Sequence, residues 1–285
     1  MNIHHVVLSS AALNGINMIG VLYEALSSKL LKYESIKSVY GCSAGALVLA
    51  LWLTKIKKDD LYNFIINRPW GKAFNPSSNI INDLLTDKGI LDIEHINNIL
   101  SPVFKAQEIS PEITLMEFYK YTNVEFHIFS TDSNTFNSVD FSYKTHPDLK
   151  LFEAIYMSSS IPFIFKPIYY NDCYMIDGGL SNGYPINPCI NDGAKEENIL
   201  GIRISRNGEN LLNKKCNIMS YGLHLINTGV KKILQSNINN TKNQVMLFVP
   251  SIISNIDDIL NNPDKRRDLL IDGEKACSDF LKSRV

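Results

Sequence analysis

Two rhythms of apolar and polar positions succeed each other along this chain. Residues 3–8 are short and β-branched, residues 9–15 are small and polar, and residues 16–30 carry Ile16, Ile19, Leu22, Leu26 and Leu30 at helical spacing. That order predicts a strand, a tight turn and a helix. It repeats at once as a strand over 36–40, a turn over 41–45 and a strongly apolar helix over 46–55. Two βα units in succession predict a parallel sheet covered by helices.

Residues 59–115 read as mostly helical, punctuated by Pro69, Pro76 and Pro102 around an exposed stretch at 70–74, and they predict an insertion or cap over a site. Strand patterns return at 124–130 and 139–143, joined by the turn chemistry of Thr131-Asp132-Ser133-Asn134-Thr135, which predicts a meander. A helix over 149–159 ends before Ile161-Pro162, and a short strand at 174–176 is stopped by Asp177-Gly178-Gly179. Later strands are expected at 199–204 and 245–249, and a closing helix at 264–281 with Leu269, Leu270, Ala276 and Phe280 on its apolar side. With no repeat, linker or low-complexity tract, the expectation is one α/β domain over 1–285: a mostly parallel central sheet sandwiched by helices, with the cap-like segment at 59–115.

Composition narrows the partners. A formal charge of −1 and scattered Lys and Arg offer no basic stripe for a phosphate backbone, which argues against nucleic acid. The five cysteines are widely spaced and lack ligand grouping, which fits free thiols in a reducing cytoplasm. The N-terminus does not read as a signal peptide. The longest apolar run, 46–53, is far short of the roughly 20 residues that cross a bilayer, so membrane contact is expected to be peripheral.

The candidate chemistry begins at Gly41-Cys42-Ser43-Ala44-Gly45, between a predicted strand and a predicted helix. This Gly-x-Ser-x-Gly spacing is that of a nucleophile elbow, where the serine occupies a strained turn and Gly41 and Gly45 make room for closely approaching backbone. At the start of the following helix, Ser43 also lies near the positive end of the helix dipole. The plainer alternative is a helix N-terminus where Ser43 merely caps. Cys42 is expected to point away from the site as a small buried hydrophobe.

A Ser-His-Asp triad in α/β-hydrolase order needs a histidine after the acid, yet only His224 follows Asp177, and Leu223 and Leu225 beside it suggest packing. His4 and His5 point to opposite faces of a strand, and His95, His127 and His146 sit in no partner pattern.

Ser43 in its pentapeptide, followed by Asp177-Gly178-Gly179-Leu180-Ser181-Asn182-Gly183-Tyr184-Pro185, resembles the patatin-like phospholipase family. Residues 15–22, Thr131 to Thr135, the Ser158-Ser159-Ser160-Ile161-Pro162 run and the terminal helix around Gly273 are further similar stretches. The resemblance implies a patatin-like three-layer fold and a Ser-Asp dyad. In it Asp177 takes the Ser43 proton, Ser43 attacks a fatty-acyl ester of a phospholipid, and an acyl-enzyme forms without metal or cofactor. Gly178 and Gly179 would let the backbone turn just beyond the acid.

The family's oxyanion loop is a run of glycines, a basic residue and a final glycine. Here the corresponding segment is Ser10-Ala11-Ala12-Leu13-Asn14-Gly15, in which only Gly15 matches. A side chain forced to positive φ there costs about 1 to 2 kcal/mol. Three readings follow: a lipid acyl hydrolase working at a membrane or micelle surface, an impaired family member that binds lipid or protein, and a general carboxylesterase. Trp70, Phe74 and residues 163–165 are candidates for an apolar rim, while Trp52 reads as core.

Overall fold

The computed structural model describes residues 2–74, 79–206, 241–249 and 256–284, together with isolated positions between 214 and 228. The N-terminal half comprises β1 (His5–Leu8), α1 (Gly15–Ser27), β2 (Ser38–Cys42), α2 (Ala44–Leu53), α3 (Lys58–Asn67), α4 (Trp70–Ala73), α5 (Ile80–Thr86), β3 (Gly89–Leu91), α6 (Ile93–Ala106) and α7 (Leu115–Thr122). After these come β4 (Glu125–Asp132), β5 (Ser138–Phe141), α8 (Leu151–Ser158), β6 (Phe163–Phe165), β7 (Ile168–Tyr170) and β8 (Cys173–Asp177). The remainder is α9 (Gly179–Asn182), α10 (Ile186–Asn191), β9 (Ile199–Arg206), β10 (Gln244–Val249), α11 (Ile256–Asn261) and α12 (Pro263–Lys282).

The main sheet runs in the order β10, β9, β1, β2, β4, β8, β7, with β5 also pairing β4. β10, β9, β1, β2 and β4 are mutually parallel, and β5 and β8 run antiparallel to β4. The expected meander is therefore present, on a mainly parallel sheet. Central strands buried on both faces explain the apolar Val6-Val7-Leu8 of β1 and Val39-Tyr40 of β2.

Apolar cores lie on both sides. The larger one joins the sheet to α1, α2, α6, α8 and α12 through residues such as Leu22, Leu49, Phe104 and Leu270. The smaller one, Val7, Tyr40, Cys42, Phe129, Tyr184 and Ile186 among others, lies against α10. This is the helix-sheet-helix layering expected. α1 and α12 cross in backbone contact: a Cβ on Gly20 would stand 2.1 Å from the Leu270 carbonyl oxygen, and one on Gly273 would stand 1.9 Å from that of Asn17.

The region at 59–115 departs from its reading in two ways. It contains a strand, β3, which pairs in parallel with β6 as a separate two-stranded sheet, Gly89 opposite Phe163 and Leu91 opposite Phe165. Three-residue strands are too short to show a period, so neither was legible. The stretch at 70–74 is also not exposed throughout: Trp70 is buried and its indole N–H donates to the Ile65 carbonyl at 2.7 Å. Among the described residues no helix is long and apolar enough to cross a membrane.

Candidate active site

β2 ends at Cys42 and α2 begins at Ala44, so Ser43 alone makes the turn between them. Its φ of 54° and ψ of −125° lie where side-chain-bearing residues are disfavoured, a strain on the order of 1–3 kcal/mol. Neighbouring bonds hold it there. The Ser43 N–H donates to Ser158 Oγ at 2.8 Å, and Ser158 Oγ donates on to the Phe129 carbonyl at 2.5 Å. The Ser43 carbonyl accepts the Leu47 N–H at 3.1 Å, opening α2.

The Ser43 side chain makes no capping bond to α2; its Oγ donates to Asp177 Oδ2 at 2.6 Å. The capping alternative therefore does not describe this serine. Gly41 and Gly45 are required by space: a Cβ on the first would stand 2.7 Å from Ala46 Cα, and one on the second 2.6 Å from the Ser9 carbonyl oxygen.

The sheet register explains how residues 134 positions apart meet. Along β4, Cys42 pairs with Phe129 in parallel, and Asp177 pairs with the next residue, Ser130, in antiparallel. Because β5 pairs Ile128, Phe129, Ser130 and Thr131 from one edge, β2 and β8 must share the other. The two strands thus arrive end to end, one finishing at Ser43 and the other at Asp177. The carboxylate is oriented by the Gly179 N–H, which donates to Oδ1 at 2.7 Å and leaves Oδ2 facing Ser43. Behind it, the Asp177 N–H donates to the Ser160 carbonyl at 2.9 Å, and Thr131 Oγ1 donates to the Asp177 carbonyl at 3.0 Å.

The expectation that Gly178 and Gly179 lend the backbone freedom to turn is corrected. Gly178 is helical, with φ −63° and ψ −19°, and Gly179 is the first residue of α9. Glycine is needed for room: a Cβ on Gly178 would lie 2.0 Å from the Phe129 carbonyl oxygen, and one on Gly179 would lie 2.8 Å from Asp177 Oδ1. Cys42 faces the smaller core, fully buried, and burial followed by the Asp177 charge pushes its thiol well above the usual range. A thiol so held is a packing group.

The segment from Ser10 to Gly15 lies beside the dyad. The Ser9 and Ser10 N–H groups are committed to the carbonyls of Ile202 and Gly183, at 3.1 and 2.7 Å. Ala12 to Asn14 form one 3-10 turn, whose opening N–H groups have no partner within a helix. Ala12 takes φ 49°, so the position the family fills with glycine does adopt positive φ here. Asn14 is buried, and a Cβ on Gly15 would stand 3.1 Å from that of Ala44.

The histidines bond elsewhere: His4 with Ser35, His5 with Ser38, His95 with Asp92, His146 with Thr145 and His224 with Thr228. The packing read for His224 is corrected, since Leu225 beside it is 52% exposed; Leu223 lies outside the described residues. His127 does have a partner pattern. It sits buried with Nδ1 2.8 Å from Asp140 Oδ2 and Nε2 3.7 Å from Glu125 Oε2.

A cavity of about 500 Å3 adjoins Ser43. Ala12, Leu13, Ala44, Leu47, Leu51, Trp70, Phe74, Ile164 and Phe165 are among its apolar walls, while Trp52 is core. Sequence reasoning missed the roles of Ser158, Ser160 and Thr131. The triple serine at 158–160 was a signal, since adjacent buried hydroxyls need partners.

Residues 6–190 match the family model described as Patatin, patatin-like phospholipase. The chain is 27% identical over 184 residues to the probable lipid hydrolase 463L of Invertebrate iridescent virus 6, covering 65% of this chain and 62% of that protein, less than two thirds of its length. Among solved structures, VipD from Legionella pneumophila superposes with a TM-score of 0.57 at 13% identity, over 99% of this chain and 67% of that one. ExoU in its complex with SpcU from Pseudomonas aeruginosa gives 0.48 at 14% identity, over 99% and 52%.

Proposed function

This chain belongs to the patatin-like phospholipase family, and from that premise we propose that it is a serine lipid acyl hydrolase of the phospholipase A type, with Ser43 as nucleophile and Asp177 as base. The observation that carries this reading is the 2.6 Å bond from Ser43 Oγ to Asp177 Oδ2, made from a disfavoured backbone conformation at φ 54° and ψ −125°. Ser43 Oγ attacks the acyl carbonyl as its proton passes to Asp177 Oδ2. The oxyanion formed is met by N–H groups of the 10–15 loop and by the positive end of α2. Asp177 returns the proton to the departing alcohol, leaving an acyl-Ser43 ester. Water, deprotonated by Asp177, then releases the fatty acid and restores the hydroxyl.

The lipid is met at a surface. On α5, Ile81 and Leu85 are 76% and 78% exposed while Asp83 is buried, and just past its end Asp87 is bonded to Lys166 at 2.8 Å. Lys166 also lies 3.7 Å from Asp83, so one cation serves both carboxylates. α5 leads into β3, whose Ile90 and Leu91 wall the cavity, and Phe163, opposite Gly89, is 41% exposed. The occupant of this face is the lipid surface from which the scissile chain enters.

Fatty-acid release from phosphatidylcholine vesicles by the wild type and by Ser43→Ala tests the assignment, and equal release from both overturns it. A second reading, an impaired member that binds lipid without turnover, is favoured by Ala12 at φ 49°. Rapid stoichiometric labelling of Ser43 by a fluorophosphonate removes it, because an unactivated serine does not react in that way.

A further inference from the structure

The lining of the cavity has a direction. Its polar members Ser43 and Ser159 stand together, since Ser158, the neighbour of Ser159, holds the Ser43 N–H. From there α2 contributes Ala44, Leu47, Val48 and Leu51, one continuous helical stripe, and α1 contributes Ile16 and Ile19. The charged member of the lining, Arg266, is committed elsewhere. Its guanidinium donates to the carbonyls of Ile66, Arg68, Ile259 and Leu260 at 2.6 to 3.3 Å, which leaves it nothing to offer an anionic ligand. A slot polar at the serine and apolar beyond it matches one hydrocarbon chain ending in an ester.

The cavity volume bounds the chain, and the rise of α2 grades positions along it. A methylene takes up about the volume of a water molecule in the liquid, about 30 Å3, so a cavity of about 500 Å3 has room for a chain of roughly sixteen carbons. Along α2, Leu51 lies seven residues beyond Ala44, about 10 Å at 1.5 Å per residue. An extended chain advances about 1.2 Å per bond, so a chain anchored on Ser43 passes Leu51 near its eighth or ninth carbon and Leu47 near its fourth.

Resting on the lipid hydrolase reading above, we propose that this cavity takes a single acyl chain of up to about sixteen carbons laid along α2, and that Leu47 and Leu51 act as successive marks of a length ruler.

The test is kcat/KM for the full chain on p-nitrophenyl esters of even length from four to twenty carbons. Wild type is expected to rise to about sixteen and fall by twenty. Leu51→Trp is expected to lower the ratio of sixteen-carbon to four-carbon turnover at least tenfold, with its optimum near eight. Leu47→Trp is expected to bring the optimum below that. Equal losses at all lengths, or a reversed order of the two cut-offs, overturn the ruler. A second arm is independent of turnover: displacement of a fluorescent fatty acid from Ser43→Ala by octanoate and palmitate. There Leu51→Trp should selectively lose palmitate, and unchanged palmitate affinity in that variant overturns the proposal even if no ester is hydrolysed. Thermal melts of each variant separate misfolding from selectivity, and Leu51→Phe, a smaller intrusion, should give an intermediate cut-off.

Discussion

Asp177 pairs with Ser130 one position beyond the pair of Cys42 with Phe129, so the strand bearing the carboxylate stops where the strand bearing Ser43 stops. The 2.6 Å contact of their side chains follows from sheet register rather than from a loop that must find its place. Asp177→Asn keeps the shape and the acceptor toward the Gly179 N–H but removes the proposed base. A fall in kcat of about 10²- to 10⁴-fold is expected, the usual contribution of a positioned general base. Fatty-acid release and the rate of fluorophosphonate labelling should fall together. Labelling at the wild-type rate would remove Asp177 from the role.

Ser158 links the strained serine to the sheet, accepting from the Ser43 N–H and donating to the Phe129 carbonyl. Ser158→Ala strands one buried donor and one buried acceptor, for an expected loss of about 1–3 kcal/mol of stability. Because Ser43 then loses the bond that holds its φ of 54°, kcat should fall more than KM rises. Denaturant melts and ester kinetics check both parts, and a stable variant with unchanged kcat would refute the linkage.

How much of this was legible in the sequence varies with the range of the interaction. Ser43 and its flanking glycines could be read because strand, elbow and helix are contiguous, and each glycine answers to backbone a few residues away or to the adjacent strand. Asp177 was legible as a motif, but its carboxylate is aimed through β4, which lies some 45 residues earlier and has no local signature of that duty. The same gap hid Ser158, whose partners lie 115 and 29 residues away. Trp70 was misread as exposed because a short Pro-flanked segment looks like a loop until α11 and the cavity are placed against it. The inward turn of Asp83 on α5, with Ile81 and Leu85 outward, was invisible for a related reason: Asp83 faces inward toward Lys166, which comes from another part of the chain.

The outward apolar face of α5 makes a prediction about surfaces. If α5 meets the lipid surface as proposed, vesicle-bound protein of Ile81→Asp/Leu85→Asp in a flotation assay should fall at least tenfold, since each substitution exchanges an exposed apolar side chain for a charge. Hydrolysis of vesicle lipid should fall in proportion, relative to that of a soluble short-chain ester. Equal loss on both substrates would mean that α5 supports the fold rather than the surface contact.

His127 supplies a pH dependence of stability. Its ring stacks on Tyr40 with centroids 4.4 Å apart, and the Tyr40 hydroxyl donates to Asp192 Oδ2 at 2.8 Å. Asp140 and Glu125 flank the imidazole, and Lys144 binds Glu125 at 2.7 Å. Burial by itself would lower the His127 pKa, but the bond to Asp140 and the charges of Asp140, Asp192 and Glu125 outweigh it, and the net direction is upward. With the folded pKa above the unfolded value of about 6.5, the stabilisation is fully present below that value and is lost as pH rises through the folded pKa. The difference in Tm between wild type and His127→Gln should therefore be largest below about pH 6 and shrink toward pH 9. A constant difference across that range would show that His127 acts by packing alone. The effect has a route to the site, because His127 pairs with Tyr40 two residues before Cys42 pairs with Phe129, on the strands that position Ser43 and Asp177.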